Sequence, residues 1–164
     1  MSRFEFSDEL TPNRREVVEV RDTHIGKGVF ATRGYPAGAV VGEIRGKQIR
    51  TSSDGSSYTF EFDEGVLLDP YAPFRYVNHS CNPNCEFQLL EDPPLSGSTA
   101  TPPNTAQGNS KKRLYLIVAR EVEAGEQFSI DYNWSAENAI RCECGAVNCR
   151  GWVVCEWELS ALTD

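Results

Sequence analysis

Two groups of residues in this sequence have side chains able to do chemistry. The first is the stretch 75–85, which contains Arg75, Asn78, His79 and two cysteines around an Asn-Pro-Asn turn. A loop that only reversed the chain would need just the turn residues. The other polar groups therefore indicate a site, and a turn whose polar groups are satisfied internally is the alternative interpretation.

The second group is a C-x-C-x4-C cluster formed by Cys142, Cys144 and Cys149. Three thiolates leave a tetrahedral zinc site one ligand short. Cys81 or Cys85 from the first group is the natural donor of the fourth ligand. One zinc ion would then join the central loop to the C-terminal segment.

Length and composition limit the class of protein. The chain has 164 residues and ordinary apolar content, which fits one domain. No run approaches the roughly 18 apolar residues of a membrane span, and the N-terminus lacks the apolar stretch of a signal peptide. We therefore expect an intracellular protein with no membrane attachment, in which reduced thiols bind metal. A disulfide framework is the alternative for six cysteines.

The net charge of −8 bears on the partner. Phosphate contacts need clustered Lys and Arg, so we expect no direct sequence-specific binding of nucleic acid. An acidic surface suits a basic protein or peptide and would speed encounter with it. Solubility alone is the alternative reading of the charge.

The elements that must position these groups are short strands joined by turns rich in Gly and Pro. Apolar alternation and turn signals predict strands at 17–21, 39–44, 58–62, 66–69, 85–89, 113–119 and 127–132. Tyr58, Phe60 and Phe62 would share one face of their strand. Few windows have helical periodicity, so the sequence predicts a mostly β domain.

Two glycines, Gly26 and Gly28, follow the first predicted strand. This spacing permits a tight turn whose backbone approaches a ligand closely. The pattern alone usually marks a hairpin, and without a third glycine and a helix it is no dinucleotide fingerprint. His24 sits among turn residues and is interpreted as an exposed residue without a role. Residues 91–112 have a low-complexity composition that cannot bury a core, which predicts a flexible insertion in a hairpin.

With these pieces in place, the chain resembles the SET-domain protein (histone) lysine methyltransferases that carry a post-SET zinc segment. The resemblance covers about residues 16–153 without the insertion, and no cysteine-rich pre-SET region precedes it. It rests on four motifs in order, namely Gly26-Lys-Gly-Val-Phe30, Arg75-Tyr-Val-Asn-His-Ser-Cys-Asn-Pro-Asn-Cys85, Gly125-Glu-Gln-Phe-Ser-Ile-Asp-Tyr132 and Cys142-x-Cys144-x4-Cys149.

The resemblance implies small curved β-sheets around a knot-like core, in which the last strand passes under the loop before it. It divides the chain into a lead-in at 1–15, a SET domain at 16–134, a post-SET zinc segment at 138–155 and a C-terminal tail at 156–164. The zinc segment would close a wall over the cofactor and the lysine channel.

The resemblance also implies roles for individual residues. Tyr132 matches the catalytic tyrosine, and Tyr58 matches a tyrosine that lines the lysine channel; a core tyrosine with a satisfied hydroxyl is the alternative for Tyr58. Cys81, rather than Cys85, matches the fourth zinc ligand beside Cys142, Cys144 and Cys149. The residues matched to S-adenosylmethionine (SAM) binding are Gly26, Lys27, Gly28, Arg75, Asn78, His79 and Trp152, with the last covering the adenine.

Ile130 stands two residues before Tyr132, where the family carries a Phe or Tyr that limits the number of methyl groups. A tyrosine there holds a water and crowds the amine, and isoleucine does neither. The resemblance therefore predicts di- or trimethylation.

The expected function is SAM-dependent methylation of lysine in a basic protein tail, with a histone as the first candidate. A non-histone substrate and a non-catalytic zinc-stabilised interaction module are the alternatives. A histone substrate implies the nucleus and chromatin, and another substrate implies the cytoplasm. The sequence leaves the oligomeric state open.

Overall fold

The computed structural model describes residues 17–50, 54–91 and 112–162. These residues form short strands arranged in small sheets, which confirms the predicted mostly β class. The strands are β1 Val18–Thr23, β2 Gly26–Ala31, β3 Val40–Glu43, β4 Gly46–Ile49, β5 Phe60–Asp63, β6 Val66–Pro70, β7 Asn78–His79, β8 Cys85–Glu91, β9 Lys112–Val118, β10 Ser129–Ile130, β11 Ile140–Arg141 and β12 Trp152–Val153. Short 3₁₀ segments lie at Phe74–Tyr76, Ala136–Asn138 and Glu156–Leu162.

Two predicted strands differ from the observed ones. The strand predicted at 58–62 begins at Phe60, because a turn occupies the preceding residues: the N–H of Thr59 donates to the Ser56 carbonyl at 3.1 Å. The strand predicted at 127–132 has two ladder residues. Its backbone bonds to different neighbours in succession, Phe128 to Val29 and then β10 to β7, so no single ladder forms.

The core lies between the sheets β1-β2, β3-β9-β8 and β4-β6-β5. Phe128, Leu116, Val29 and Val122 are fully buried within it. Alternation along β2 places Val29 inward, while the inner residues of β9 form a nearly continuous apolar run. Burial of these side chains stabilises the body by about 1.5–3 kcal/mol for each large residue.

β7 and β10 pair in parallel, with Asn78 beside Ser129 and His79 beside Ile130. This pair brings the central loop and the last SET strand together, where the resemblance expects the knot-like crossing. β8 and β9 form an antiparallel hairpin that ends at the pair Glu91 and Lys112. The predicted lead-in 1–15 and most of the insertion 91–112 fall outside the described residues. None of the helical segments described has the length and apolarity of a membrane-spanning helix.

Candidate active site and metal centre

Four cysteine sulfurs converge between the central loop and the C-terminal segment. The Sγ atoms of Cys81, Cys142, Cys144 and Cys149 all lie within 4.8 Å of one another. The Cys81 sulfur is 3.8 Å from that of Cys142 and 4.0 Å from that of Cys149. Zinc–sulfur bonds of about 2.3 Å in a tetrahedron place the sulfurs about 3.8 Å apart. The donor set and its spacing therefore fit one zinc ion.

Local backbone geometry builds this cluster. β11 and β12 pair antiparallel, and the Cys142 N–H donates to the Gly151 carbonyl at 3.0 Å, which closes the base of the loop between them. Gly145 supplies the reversal with φ of +73°. The N–H of Arg150 points at the Cys81 sulfur from 3.4 Å. Burial disfavours the Cys144 thiolate, but N–H donors, that of Cys81 foremost, lower its pKa to about 6.

The two remaining cysteines are buried and lie outside the cluster. Cys85 is the first residue of β8, and burial raises the pKa of its thiol to about 12. Cys155 lies beyond β12 and is 1% exposed. All six cysteines are free thiols, which excludes the disulfide framework. Cys81 is therefore the thiol of the central loop that meets the C-terminal three.

The imidazole of His79 connects this cluster to Tyr132. Its Nδ1 accepts a hydrogen bond from the Tyr132 backbone N–H at 3.2 Å, and its Nε2 lies 3.4 Å from the Cys81 sulfur. Burial lowers the pKa of His79. A neutral ring that accepts at Nδ1 carries its proton on Nε2, so it donates to the sulfur. Such outer-sphere donors orient metal ligands.

A carboxylate–guanidinium pair makes a second connection. Both carboxylate oxygens of Asp131 accept from Nη2 of Arg150, at 2.9 and 2.8 Å. The side chains are only 20% and 13% exposed, so water screens the pair little. Asp131 precedes Tyr132, and Arg150 follows Cys149. The pair therefore joins the loop 142–149, called the metal loop below, to the segment after β10 that contains Tyr132.

On the other side of β7, the side chain of Asn78 holds the glycine turn. Its Nδ2 donates to the Lys27 carbonyl at 2.9 Å. Gly26 has φ of +113°, a conformation that L side chains rarely adopt. The hairpin turn itself is His24–Ile25, and Gly26 and Gly28 lie in β2 opposite Thr23 and Arg21, so the tight turn predicted at the two glycines lies two residues earlier. This end of the hairpin, residues 24–28, is called the glycine turn.

The Tyr132 phenol lies in a cleft of about 360 Å³ between β5 and the segment that follows β10. Its hydroxyl donates to the Val77 carbonyl at 2.7 Å. Burial, and the nearby Tyr58, raise the pKa of Tyr132 to about 12, so the group is a neutral phenol at physiological pH. The apolar and aromatic walls of this cleft are Tyr58, Phe60, Phe87, Ile130 and Trp134.

The family model described as SET domain matches residues 26–133. The chain belongs to the SET-domain family. Its match begins at the glycine turn and ends just after Tyr132, so it contains the central loop and the cleft.

Relatives of this SET domain include three histone-lysine N-methyltransferases. An H3 lysine-4-specific enzyme of Aspergillus oryzae is 30% identical over 120 residues, 69% of this chain and 8% of that protein. ATXR7 of Arabidopsis thaliana is 33% identical over 112 residues, 66% of this chain and 7% of that protein. The protein trr of Drosophila melanogaster is 29% identical over 157 residues, 85% of this chain and 6% of that protein. The chain thus spans a small part of each relative.

Two crystal structures of KRYPTONITE are similar to this SET domain. The complex with mCHG DNA and SAH matches with a TM-score of 0.64 and 26% identity, over 83% of this chain and 28% of that one. The complex with mCHH DNA, an H3(1–15) peptide and SAH matches with a TM-score of 0.63 and 26% identity, over 83% of this chain and 29% of that one.

The remaining predicted site residues of the SET domain lie in two places. Arg75 lines the cleft, with its guanidinium carbon 4.6 Å from the Tyr58 ring centre and Nη2 3.9 Å from Asp69. It therefore lies beside the tyrosines. Trp152 lies in β12, where Arg141 stacks on its ring at 4.0 Å. The SAM-binding roles of both residues stay predictions.

Two residues of this SET domain were not recognised from the sequence. Trp134 lies 5.3 Å from Tyr132, ring centre to ring centre, and forms a wall of the cleft; its position two residues after the phenol was the available signal. His24 is exposed, as predicted, but it makes a contact that the sequence did not reveal. Its Nε2 is 3.0 Å from the Glu143 carbonyl, so it joins the glycine turn to the metal loop. That contact spans 119 residues, and no local pattern encodes it.

Proposed function

We propose that the protein is a SAM-dependent protein lysine N-methyltransferase. The observation that carries this proposal is the neutral Tyr132 phenol, which lies in an aromatic cleft and donates its proton to the Val77 carbonyl. The lone pairs of this oxygen are then left for an incoming amine or methyl group. The SET-domain relatives with lysine methyltransferase names support the same activity.

The SAM sulfonium supplies the activated methyl group, and the transfer is an in-line displacement that needs alignment more than a strong acid or base. The protein must supply a neutral amine. Lysine has a pKa near 10.4, so its deprotonation at pH 7 costs about 4–5 kcal/mol. A cleft with aromatic walls favours the neutral amine by desolvation, and Tyr58 and Tyr132 orient it. In-line geometry requires the methyl group of SAM to face the amine in the cleft, and Asn78 and the glycine turn are proposed to bind the cofactor.

Zinc would have a structural role in this enzyme. The four cysteines supply its whole tetrahedral shell, which leaves no open position for chemistry. A zinc ion bound by these cysteines would order the loop 142–149. Arg150, the next residue, donates to Asp131. Trp152 follows that loop and is proposed to cover the adenine.

A histone tail is the proposed substrate. β5 is an edge strand of the sheet β4-β6-β5, and Glu61 on it lines the cleft. An extended peptide could add to this edge, with the acidic side chains of Glu61 and Glu64 attracting its basic residues. The KRYPTONITE complex with an H3(1–15) peptide supports this substrate class. A chromatin location follows from the same proposal.

One assay tests the reaction and the substrate class together. Core histones and a lysate from the source organism are incubated with the protein and labelled SAM, and modified lysines are mapped by mass spectrometry. We expect histone lysine methylation that Tyr132→Phe lowers at least about a hundredfold. Label only on non-histone proteins would replace the histone substrate. SAM binding without any transfer, or no SAM binding at all in calorimetry, would instead reject the enzyme and favour the non-catalytic module.

A further inference from the structure

Gln127 contacts the side-chain amide of Asn78. Neither its position nor its role follows from the apolar pattern of the strand predicted at 127–132. Its Oε1 accepts a hydrogen bond from Asn78 Nδ2 at 2.8 Å. The same Nδ2 donates to the Lys27 carbonyl at 2.9 Å. Both protons of the Asn78 amide are therefore used within the protein.

These two acceptors fix the direction of the Asn78 carboxamide. The Lys27 carbonyl can only accept, so the NH₂ group of Asn78 must face it. Gln127 then has to present its own oxygen, because two NH₂ groups would repel each other. The group of Asn78 left to meet a ligand is the carbonyl Oδ1, which accepts hydrogen bonds.

We propose that Gln127 is a positioning residue for the cofactor, which keeps Asn78 Oδ1 turned toward the α-amino group of SAM. This inference rests on the proposed function, in which Asn78 binds that ammonium. Without the acceptor on Gln127, the Asn78 amide would lose one of its two anchors. It could then rotate and present NH₂, a donor, to a cationic amine.

Gln127 is itself held firmly by the central loop. Asn84, which is 4% exposed, donates through Nδ2 to the Gln127 carbonyl at 2.9 Å. Its Oδ1 accepts from the Ser129 N–H, also at 2.9 Å. One buried amide thus brackets the backbone on both sides of Phe128. The Asn-Pro-Asn turn therefore positions the cofactor-binding amide through Gln127.

The same arrangement explains the second glycine of the turn. A Cβ on Gly28 would lie 2.5 Å from Gln127 Oε1 and 3.0 Å from its Cδ. Any side chain at position 28 would displace the carboxamide that holds Asn78. Gly26 is required by its φ of +113°, whereas Gly28 is required by the approach of Gln127.

Gln127→Leu removes the acceptor and keeps the side chain close in size. Calorimetry is run with two ligands, SAH and 5′-methylthioadenosine, which lacks the amino-acid end. We expect the Kd of SAH to rise about tenfold, as for the loss of one hydrogen bond to a charged group. We expect the Kd of methylthioadenosine to stay within about twofold of the wild-type value. Equal weakening of both ligands, or of neither, would overturn the proposal.

Four further variants serve as controls. Gln127→Glu restores an acceptor and should rescue SAH binding, while Gln48→Leu makes the same change as Gln127→Leu on the exposed face of β4 and should alter neither Kd. If Gln127→Leu does not fold, Gly28→Ala displaces the Gln127 amide and must produce the same split between ligands. Asn78→Ala separates the proposed cofactor site from the proposed role of Gln127. An unchanged Kd for SAH in that variant would reject the proposed cofactor site, whereas loss there with none in Gln127→Leu would reject only the role of Gln127.

Discussion

The β body and the C-terminal segment from Trp134 to Leu162 are held together by different physics. The body buries a continuous apolar cluster, in which Phe128 and Leu116 are 0% exposed. The C-terminal segment has one two-residue ladder, and its buried residues are Val153, Val154 and Cys155 among those described. Its other anchors include the four sulfurs, the pair formed by Arg150 and Asp131, and the contact of His24 with the Glu143 carbonyl.

This difference shows how one chain separates a stable scaffold from a closing wall. A segment with so little apolar burial cannot offset its own conformational entropy, so metal binding must contribute to its folding. The body needs no such ion, because its sheets bury their own faces. The site lies where the two regions meet, with Tyr132 and Ile130 on the body and Trp134 on the segment.

The largest effect on methyl transfer is expected from loss of the zinc ion. Cys144→Ser, or chelation of zinc, should abolish methyl transfer, since the loop 142–149 would lose its order and the wall over the cleft with it. The β body should stay folded by far-UV circular dichroism. Zinc content is measured by mass spectrometry, and methylation by a labelled-SAM assay.

Cys155→Ser is the matched control for this change. Cys155 is a thiol of the same segment, buried where Cys144 is half-buried, and it lies outside the sulfur cluster, so zinc content should be unaffected. Full turnover by Cys144→Ser protein after verified loss of zinc would show that the segment orders itself. The proposed dependence of the C-terminal segment on zinc would then be wrong.

The next effect tests the body. Phe128→Ala should lower the free energy of unfolding by about 3–5 kcal/mol, because it leaves a cavity among fully buried neighbours. Trp157→Ala makes a similar truncation in the C-terminal segment, where that ring is 74% exposed, and should cost less than about 0.5 kcal/mol. Urea titration of both variants measures the difference. Similar losses would mean that the segment contributes to the main core.

A smaller effect is expected at the joint between the regions. The cycle of Asp131→Asn, Arg150→Gln and the double variant should give a coupling energy of about 1–2 kcal/mol, because the pair is largely shielded from water. Hydrogen exchange of the loop 142–149 should accelerate in each single variant while zinc content holds. The exposed pair of Glu19 and Arg21, 2.6 Å apart, should show no measurable coupling, because water screens it. Equal coupling energies in the two cycles would show that the pair of Asp131 and Arg150 joins the two regions no more strongly than an exposed ion pair does.

Sequence reasoning predicted the parts of this protein that depend on local spacing. The thiols of Cys142, Cys144 and Cys149 are close along the chain, so their cluster could be read directly from the sequence. The strand around Leu116 follows from an apolar run, whereas β2 around Val29 was not predicted, because its two glycines indicated a turn. Tyr132 was found because its motif matches a known family.

The parts that depend on long-range packing could not be predicted in the same way. Gln127 reads as an ordinary strand residue until β10 lies beside β7, and His24 as a turn residue until the metal loop comes near it. Arg150 and Asp131 are 19 residues apart in sequence, on either side of the loop 142–149. Such contacts join residues that no periodicity relates, and their geometry is set by tertiary structure.

The last prediction concerns the body side of the cleft. Ile130 is 6% exposed and lines the cleft in which the Tyr132 phenol lies. We expect the wild-type protein to yield di- or trimethyl-lysine, because isoleucine neither holds a water nor crowds the amine. Ile130→Tyr adds a hydroxyl and a ring beside the amine, which should shift the product toward monomethyl-lysine with a loss of rate below about tenfold. Mass spectrometry of a fully turned-over peptide measures the product.

Ile130→Leu is the control for this substitution, since it conserves volume without a polar group and should keep the wild-type product. The two sides of the cleft should differ in effect. A substitution on the body side alters the space around the amine, whereas a substitution of Trp134 alters the wall contributed by the segment. Trp134→Phe should therefore raise KM more than it changes the number of methyl groups. Monomethyl-lysine alone from the wild-type protein would show that other residues restrict the amine, and Ile130 would lose its proposed effect.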